Sequence, residues 1–349
     1  MISIYYPKVL LDPNRRGQLF PLLKPFIKGA SFSDKDRKAM YHISDKEFQL
    51  VDDITRADWL ILPMSWNYYV KNKLVQKTID FIEKSKQQNK KVYSFTNGDF
   101  GVKIPENSNC IVLRQSGEKS KLPSSHLGIP SFIVDPIQKQ HQRKDIFINE
   151  YQSKPVIGFC GQTNDSVYNS LKEISRTFFR NLKFKIGVTN ELPQKIQSTS
   201  KLRAKVLSEI KNSTKLTANF IERKKYRAGA TTKEDRIKTT KEFYDNMRDS
   251  DYIVAVRGAG NFSVRFYEAL AMGRIPVFIN TDCILPLEDK IDWKKHVVWV
   301  EENEINQLEK LILAFHYQHT PEEFIKVQES NRKLWEEQLT LGGFFKTLL

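Results

Sequence analysis

Along the first 135 positions, apolar residues fall into short runs separated by longer amphipathic stretches. Residues 2–6, 59–62, 92–95 and 111–113 are compact, mostly apolar runs of strand length, and 67–88 repeats its apolar positions near the helical period. This βαβ rhythm predicts a parallel sheet covered by helices. The composition then turns polar from 135 to 154, between Pro136 and Pro155, which marks a linker. A second alternation follows, with a strand over 156–161 that runs into a glycine turn, a helix over 168–181 and a strand over 184–188. Further strands are predicted over 252–256, 275–279 and 297–300. Thr320-Pro321-Glu322-Glu323 combines an N-cap, proline in the first turn and a capping-box glutamate, so it launches a closing helix. The pattern predicts an α/β protein with two Rossmann-like halves facing across a cleft. The first half covers 1–140, the second 154–320, and the final helix 321–349. In such sheets ligands bind beyond the carboxyl ends of the strands.

Composition narrows this picture. The 349 residues hold 56 Lys+Arg against 41 Asp+Glu, a formal charge of +15. A chain of this length fills two cores without disulfides or a structural metal. Cys110, Cys160 and Cys283 are far apart and sit in strand-like contexts, which indicates buried thiols rather than a disulfide framework or zinc site. Residues 1–7 lack the pattern of a secretory signal, and no window reaches the ~18 apolar residues of a membrane span. A cytoplasmic setting is therefore expected, with peripheral association at the inner membrane face.

The positive charge concentrates in 195–241, which holds 14 Lys/Arg and 4 Asp/Glu. Nucleic acid, an anionic membrane and a phosphorylated or acidic substrate all suit such a stretch, as does a merely solvated helix face.

The chemistry concentrates in the segment from Arg257 to Val277, which follows a strand and opens a helix. Gly258 and Gly260 allow a tight turn and close approach of the backbone to a ligand. The following helix start favours an anion, with phosphate its natural guest. Arg257 and Arg265 add guanidinium donors for phosphate oxygens. Glu268 shares a helix face with Arg265 and suits the hydroxyls of a ribose, although an ordinary ion pair on the helix surface fits the same spacing. Two Asp-x-Asp spacings, Asp34-Lys35-Asp36 and Asp249-Ser250-Asp251, lie in turn or helix-start contexts rather than after an apolar strand.

Ser263, Arg265, Glu268-Ala269-Leu270, Gly273 and Ile275-Pro276-Val277 match the pattern of the exostosin-like glycosyltransferases, which this segment resembles. Asp282 with Leu285-Pro286, then Asp292-Trp293, resembles the family's following loop, and 157–161 its first nucleotide-side strand. The resemblance implies a GT-B fold whose final helix crosses back to the first half. It also implies inverting transfer of a sugar from a nucleotide-sugar, usually linked to uridine diphosphate. Arg257, Gly258, Gly260, Asn261, Ser263, Arg265 and Glu268 would then contact the donor. Retaining GT-B enzymes carry a second glutamate eight positions before the one at 268, and Gly260 stands there instead.

No cofactor beyond the donor and no metal is expected, since arginine and helix-end donors stabilise the leaving diphosphate. Arg265 takes that catalytic part. The general base should come from the first half, where Asp99 sits in a glycine-flanked loop after a buried strand; an Asx-turn is the competing explanation. His42 and His126 occupy loop-like polar contexts without such support, and Arg223 and Arg227 precede the donor motif at a spacing that assigns neither. The expected acceptor is a glycan or lipid-linked glycan, acidic if it is to use the basic surplus, in surface polysaccharide biosynthesis. An inactive glycan- or nucleotide-binding relative and a basic nucleic-acid-binding protein are the alternatives. The chain shows no aromatic-interleaved basic repeat that would favour nucleic acid.

Overall fold

Both alternations fold as parallel sheets. The computed structural model describes residues 1–27 and 33–348. Residues 28–32 and Leu349, parts of the expected first half and final helix, lie outside the described residues. The first sheet contains β1 (Ile2–Tyr5), β2 (Phe48–Leu50), β3 (Trp59–Ile61), β4 (Val92–Phe95), β5 (Cys110–Arg114) and β6 (His126–Gly128), in the order β2-β1-β3-β4-β5-β6. Helices α1 (Asp34–Tyr41), α2 (Trp66–Lys71) and α3 (Val75–Lys86) accompany it, and α4 (Pro136–His141) lies within the polar connection. The single helix expected over 67–88 is two. Lys73 adopts a left-handed φ of 58°, and the Leu74 amide donates back to the Tyr69 carbonyl at 2.9 Å, so the chain turns between them.

The second sheet has the order β11-β10-β9-β7-β8, built from β7 (Val156–Gln162), β8 (Thr217–Arg223), β9 (Tyr252–Ala255), β10 (Ile275–Asn280) and β11 (Val298–Glu301). Helices α5 (Val167–Lys185), α6 (Thr199–Lys211), α7 (Lys233–Arg248), α8 (Val264–Ala271) and α9 (Leu308–Tyr317) complete this half. The strand expected over 184–188 is instead the end of α5. Gly187, at φ 75°, donates to Phe184 at 3.0 Å, and Val188 donates to Lys183 at 2.8 Å, which is a Schellman stop. The strand neighbouring β7 is β8, in register from Val156↔Thr217 to Gln162↔Arg223. Its sequence gives little apolar signal because it is an edge strand.

At the C-terminus, Thr320 Oγ1 accepts from the Glu323 amide at 3.2 Å and the Glu323 carboxylate accepts from the Thr320 amide at 2.8 Å. This capping box opens α10 (Pro321–Leu334), which continues through a π-turn at Trp335–Leu339 to α11 (Leu341–Leu348). Trp335, Phe344 and Phe345 are fully buried in one core with Phe20 and Trp59 of the first half and Phe266 and Tyr267 of the second. Arg332 of α10 grips Asp135 through two bonds of 3.0 and 2.6 Å. The closing helices therefore cross back and join two α/β lobes in a GT-B arrangement, with the ends of both sheets bordering a cleft.

Candidate active site

The loop after β9 is shaped by its two glycines in different ways. The Gly258 amide donates to the Phe262 carbonyl at 3.0 Å and closes the turn. A Cβ at Gly258 would meet nothing nearer than that carbonyl at 4.0 Å, so the bare position leaves room on the cavity side. At Gly260 a Cβ would stand 2.7 Å from the Asp99 carbonyl oxygen and 3.0 Å from its Cα. Gly260 thus lets the Asp99 loop of the first lobe approach the second. Ser263 occupies the N-cap of α8, but its side chain makes no capping bond and lines the cavity.

The cavity beyond these loops has a volume of about 740 Å³ and is dominated by arginine. Arg265 lies over the Phe159 ring at 4.5 Å and donates from Nη2 to the Cys160 carbonyl at 2.8 Å. Gly161 makes this placement feasible, because a Cβ there would stand 2.6 Å from the same Nη2. Arg203, from α6, donates to the carbonyls of Gln162 and Arg257, the latter at 3.2 Å. Arg223, at the end of β8, donates to the Thr239 carbonyl at 3.0 Å and the Glu242 carboxylate at 2.9 Å. All three line the cavity with Arg227, and each of the three keeps a buried Nε without a partner. Burial, reinforced by the charges of Arg203 and Arg223, pushes Arg265 down to about 10. Cations crowded this way fit a site built for an anion.

Glu268 faces the same cavity from α8. Its Oε1 accepts from the Tyr244 hydroxyl at 3.0 Å, and burial raises its carboxyl above the ordinary 4.5. On the far side, Thr199 and Ser200 at the start of α6 also line the cavity. The Glu173 carboxylate holds that turn by accepting from the Ser198 hydroxyl at 2.8 Å and the Ser200 amide at 3.2 Å. Two helix starts, α6 and α8, therefore end at one cavity.

The structure gathers Gly258, Gly260, Ser263, Arg265, Glu268 and Asp99 around this cavity and leaves out two residues expected there. Asn261 is corrected from donor contact to internal brace. It is 1% exposed, and its amide donates at 2.9 Å to each of the Gly117, Thr281 and Asp282 carbonyls while its oxygen accepts from Thr281 Oγ1 at 2.6 Å. With both ends committed, nothing remains for a ligand. Arg257 is 3% exposed and lies behind the cavity wall, where its carbonyl holds Arg203.

The histidines lie elsewhere: His42 packs edge-on to Trp335, and His126 Nδ1 contacts Arg114 Nη1 at 3.1 Å. Asp36 belongs to the capping box of α1, and Asp251 accepts from the Val156 amide at 2.8 Å. All three cysteines are buried and free. Arg203 and Tyr244 carried no motif signal. Arg203 is one cation in a lysine-rich run, and only the pairing of β8 with β7 turns that region toward the cleft.

Residues 160–315 match the Exostosin GT47 domain. That segment is somewhat less than half of the chain. Every cavity-lining residue except Asp99 falls within the matched segment. Over 90 residues the chain is 31% identical to Exostosin-1 of Drosophila melanogaster, a match covering 26% of this chain and 11% of that protein. Over 80 residues it is 31% identical to probable glucuronosyltransferase 47 A of Physcomitrium patens, covering 23% of this chain and 18% of that one. These matches span less than a fifth of the length of either relative. Among solved structures, the crystal structure of TarM is similar over 74% of this chain and 49% of that chain, with 12% identity and a TM-score of 0.33.

Proposed function

We propose that this protein is an inverting glycosyltransferase that uses a nucleotide-sugar, a uridine diphosphate sugar in our reading. The observation that carries this is the set of three arginines, 203, 223 and 265, with unpartnered Nε groups around one cavity. A diphosphate supplies the missing acceptors and relieves the mutual repulsion of these cations. Glu268, fixed by Tyr244, accepts from the ribose hydroxyls. As the bond to the sugar breaks, charge grows on the diphosphate, and Arg265, Arg203 and the α8 amides stabilise it without a required metal. Asp99 is exposed, comes from the opposite lobe and lines the cavity, which suits a base that takes the acceptor proton during attack on the far face of the anomeric carbon. A glycan or lipid-linked glycan of a surface polysaccharide is the acceptor in this reading. The nucleic-acid alternative loses ground because arginines 203, 223 and 227 of the basic stretch line the cleft cavity rather than a continuous outer face.

Calorimetric titration with a panel of nucleoside diphosphates, with and without chelator, tests this reading. Binding of a uridine diphosphate that survives the chelator is the expected result. No binding of any nucleoside diphosphate, or tight salt-sensitive binding of DNA or RNA in its place, overturns it. Asp99→Asn should then retain donor binding and lose turnover.

A further inference from the structure

Helix α5 is amphipathic in the wrong direction for a helix serving the core alone. Its inner side packs against α6, with Ser170 buried and Glu173 holding the start of α6. On the other side, Tyr168, Leu171, Phe178, Phe179 and Leu182 recur at i, i+3, i+10, i+11 and i+14, a single helical stripe. Tyr168 is 73% exposed, Leu171 60%, Phe178 51% and Phe179 59%. Tyr168, Leu171, Phe178 and Phe179, with Ile196 from the following loop, line an open apolar groove on a helix of about 28 Å, and Leu182 continues the stripe beyond it. Lys172, Arg176, Lys183 and Lys185 are exposed on the same helix, and no ion pair involves them among the described residues. Glu173 is the one acidic residue of α5, and it is turned inward.

We propose that α5 lies on an anionic membrane surface, with its aromatic stripe in the headgroup–acyl boundary and its lysines and arginines against lipid phosphates. An exposed apolar stripe flanked by unpaired cations is the chemistry of an interfacial helix. A second copy fits less well, because a twofold pairing of this face sets Lys172, Arg176, Lys183 and Lys185 near the same residues of the other copy. Within the basic stretch 195–241, arginines 203 and 223 are turned into the cavity and take no part in this contact. The docking face stands apart from the donor reading, yet the two adjoin: Glu173 lines the cavity on one side of α5, while the groove runs along the other. A membrane-docked α5 holds the cleft within about one helix diameter, ~10 Å, of the lipid surface. That position suits a lipid-linked acceptor.

The test is flotation of the full chain with vesicles of phosphatidylcholine alone or mixed with phosphatidylglycerol. Wild type should float with the anionic vesicles and release in high salt. Phe178→Ser with Phe179→Ser, and separately Lys172→Glu with Lys183→Glu, should each weaken binding by about tenfold or more. All four positions are exposed, so melting temperatures should not move. The native cysteines are buried, so Leu182→Cys gives one accessible thiol for an environment-sensitive fluorophore, and its emission should shift to the blue on anionic vesicles. Absence of vesicle binding, binding indifferent to both double variants, or an unshifted fluorophore refutes the proposal. So does a dimer in sedimentation that the Phe178→Ser/Phe179→Ser variant dissolves. Nucleotide titration of the same variants separates the two readings, because donor affinity should stay at the wild-type level whichever way the vesicles answer.

Discussion

Replacing Arg265 with methionine removes the charge while keeping an unbranched apolar stem over Phe159. The structure lets its two effects be sized separately. The guanidinium is depressed from 12.5 to about 10, so between those pH values the folded protein binds this proton less than the unfolded chain does. Stability from this group therefore rises with pH across that window, and at neutral pH the buried charge destabilises the fold by ~3 kcal/mol. Against that relief stand the charged hydrogen bond to the Cys160 carbonyl, ~1.5–3 kcal/mol, and part of the contact with Phe159, ~0.5–1 kcal/mol. The terms nearly cancel, so Arg265→Met should melt within about 2–4 °C of wild type.

Donor binding should behave differently. Loss of a desolvated charge partner costs ~2–5 kcal/mol, so affinity for a uridine diphosphate should fall between about 30-fold and several thousand-fold. Turnover should fall at least as far, because the leaving charge is largest in the transition state. Thermal melts without ligand and calorimetry with the diphosphate, on the same preparations, read the two effects. A large drop in melting temperature with unchanged affinity would refute the reasoning and make Arg265 a structural cation.

Three further substitutions probe the surrounding construction. Gly161→Ala places a methyl 2.6 Å from Arg265 Nη2, the end of a flexible side chain, so melting should barely change while diphosphate affinity falls by about tenfold, as calorimetry will show. Glu268→Gln should erase discrimination between ribose and deoxyribose nucleotides in binding assays. Because burial raises the native carboxyl above 4.5, the folded state holds that proton more tightly, and the destabilisation that appears as pH rises through this range should vanish in pH-dependent melts of the variant. Asn261→Ala strands the Gly117 and Thr281 carbonyls and the Thr281 hydroxyl, while the Asp282 carbonyl keeps the Lys119 amide, and denaturant unfolding should report a loss of ~2–4 kcal/mol.

What could be read from the chain is what neighbouring residues decide among themselves. The capping box at Thr320 and Glu323 spans one helical turn, so its residues meet in any fold that keeps the helix. The Gly258 to Val277 run behaves similarly: a strand, a turn and α8 carry Gly258, Ser263, Arg265 and Glu268 to one end of the sheet. Local signals also misled, because 184–188 alternates like a strand while Gly187 closes α5 in a Schellman stop whose bonds reach back into the preceding turn.

The remaining features depend on what lies opposite. Asn261 has the same composition and position in the turn as a ligand residue. Only the arrival of Gly117, Thr281 and Asp282 from distant segments commits its amide inward. Arg203 and Tyr244 become site residues because β8 adds to the edge of the sheet beside β7 and brings α6 and α7 over the cleft. The difference is physical: caps, turns and periodicity are satisfied by bonds a few residues long, whereas a cavity is made of surfaces that chain order does not adjoin. Strand order in a parallel sheet is set by which faces bury together, and that choice exists only when the whole sheet has formed.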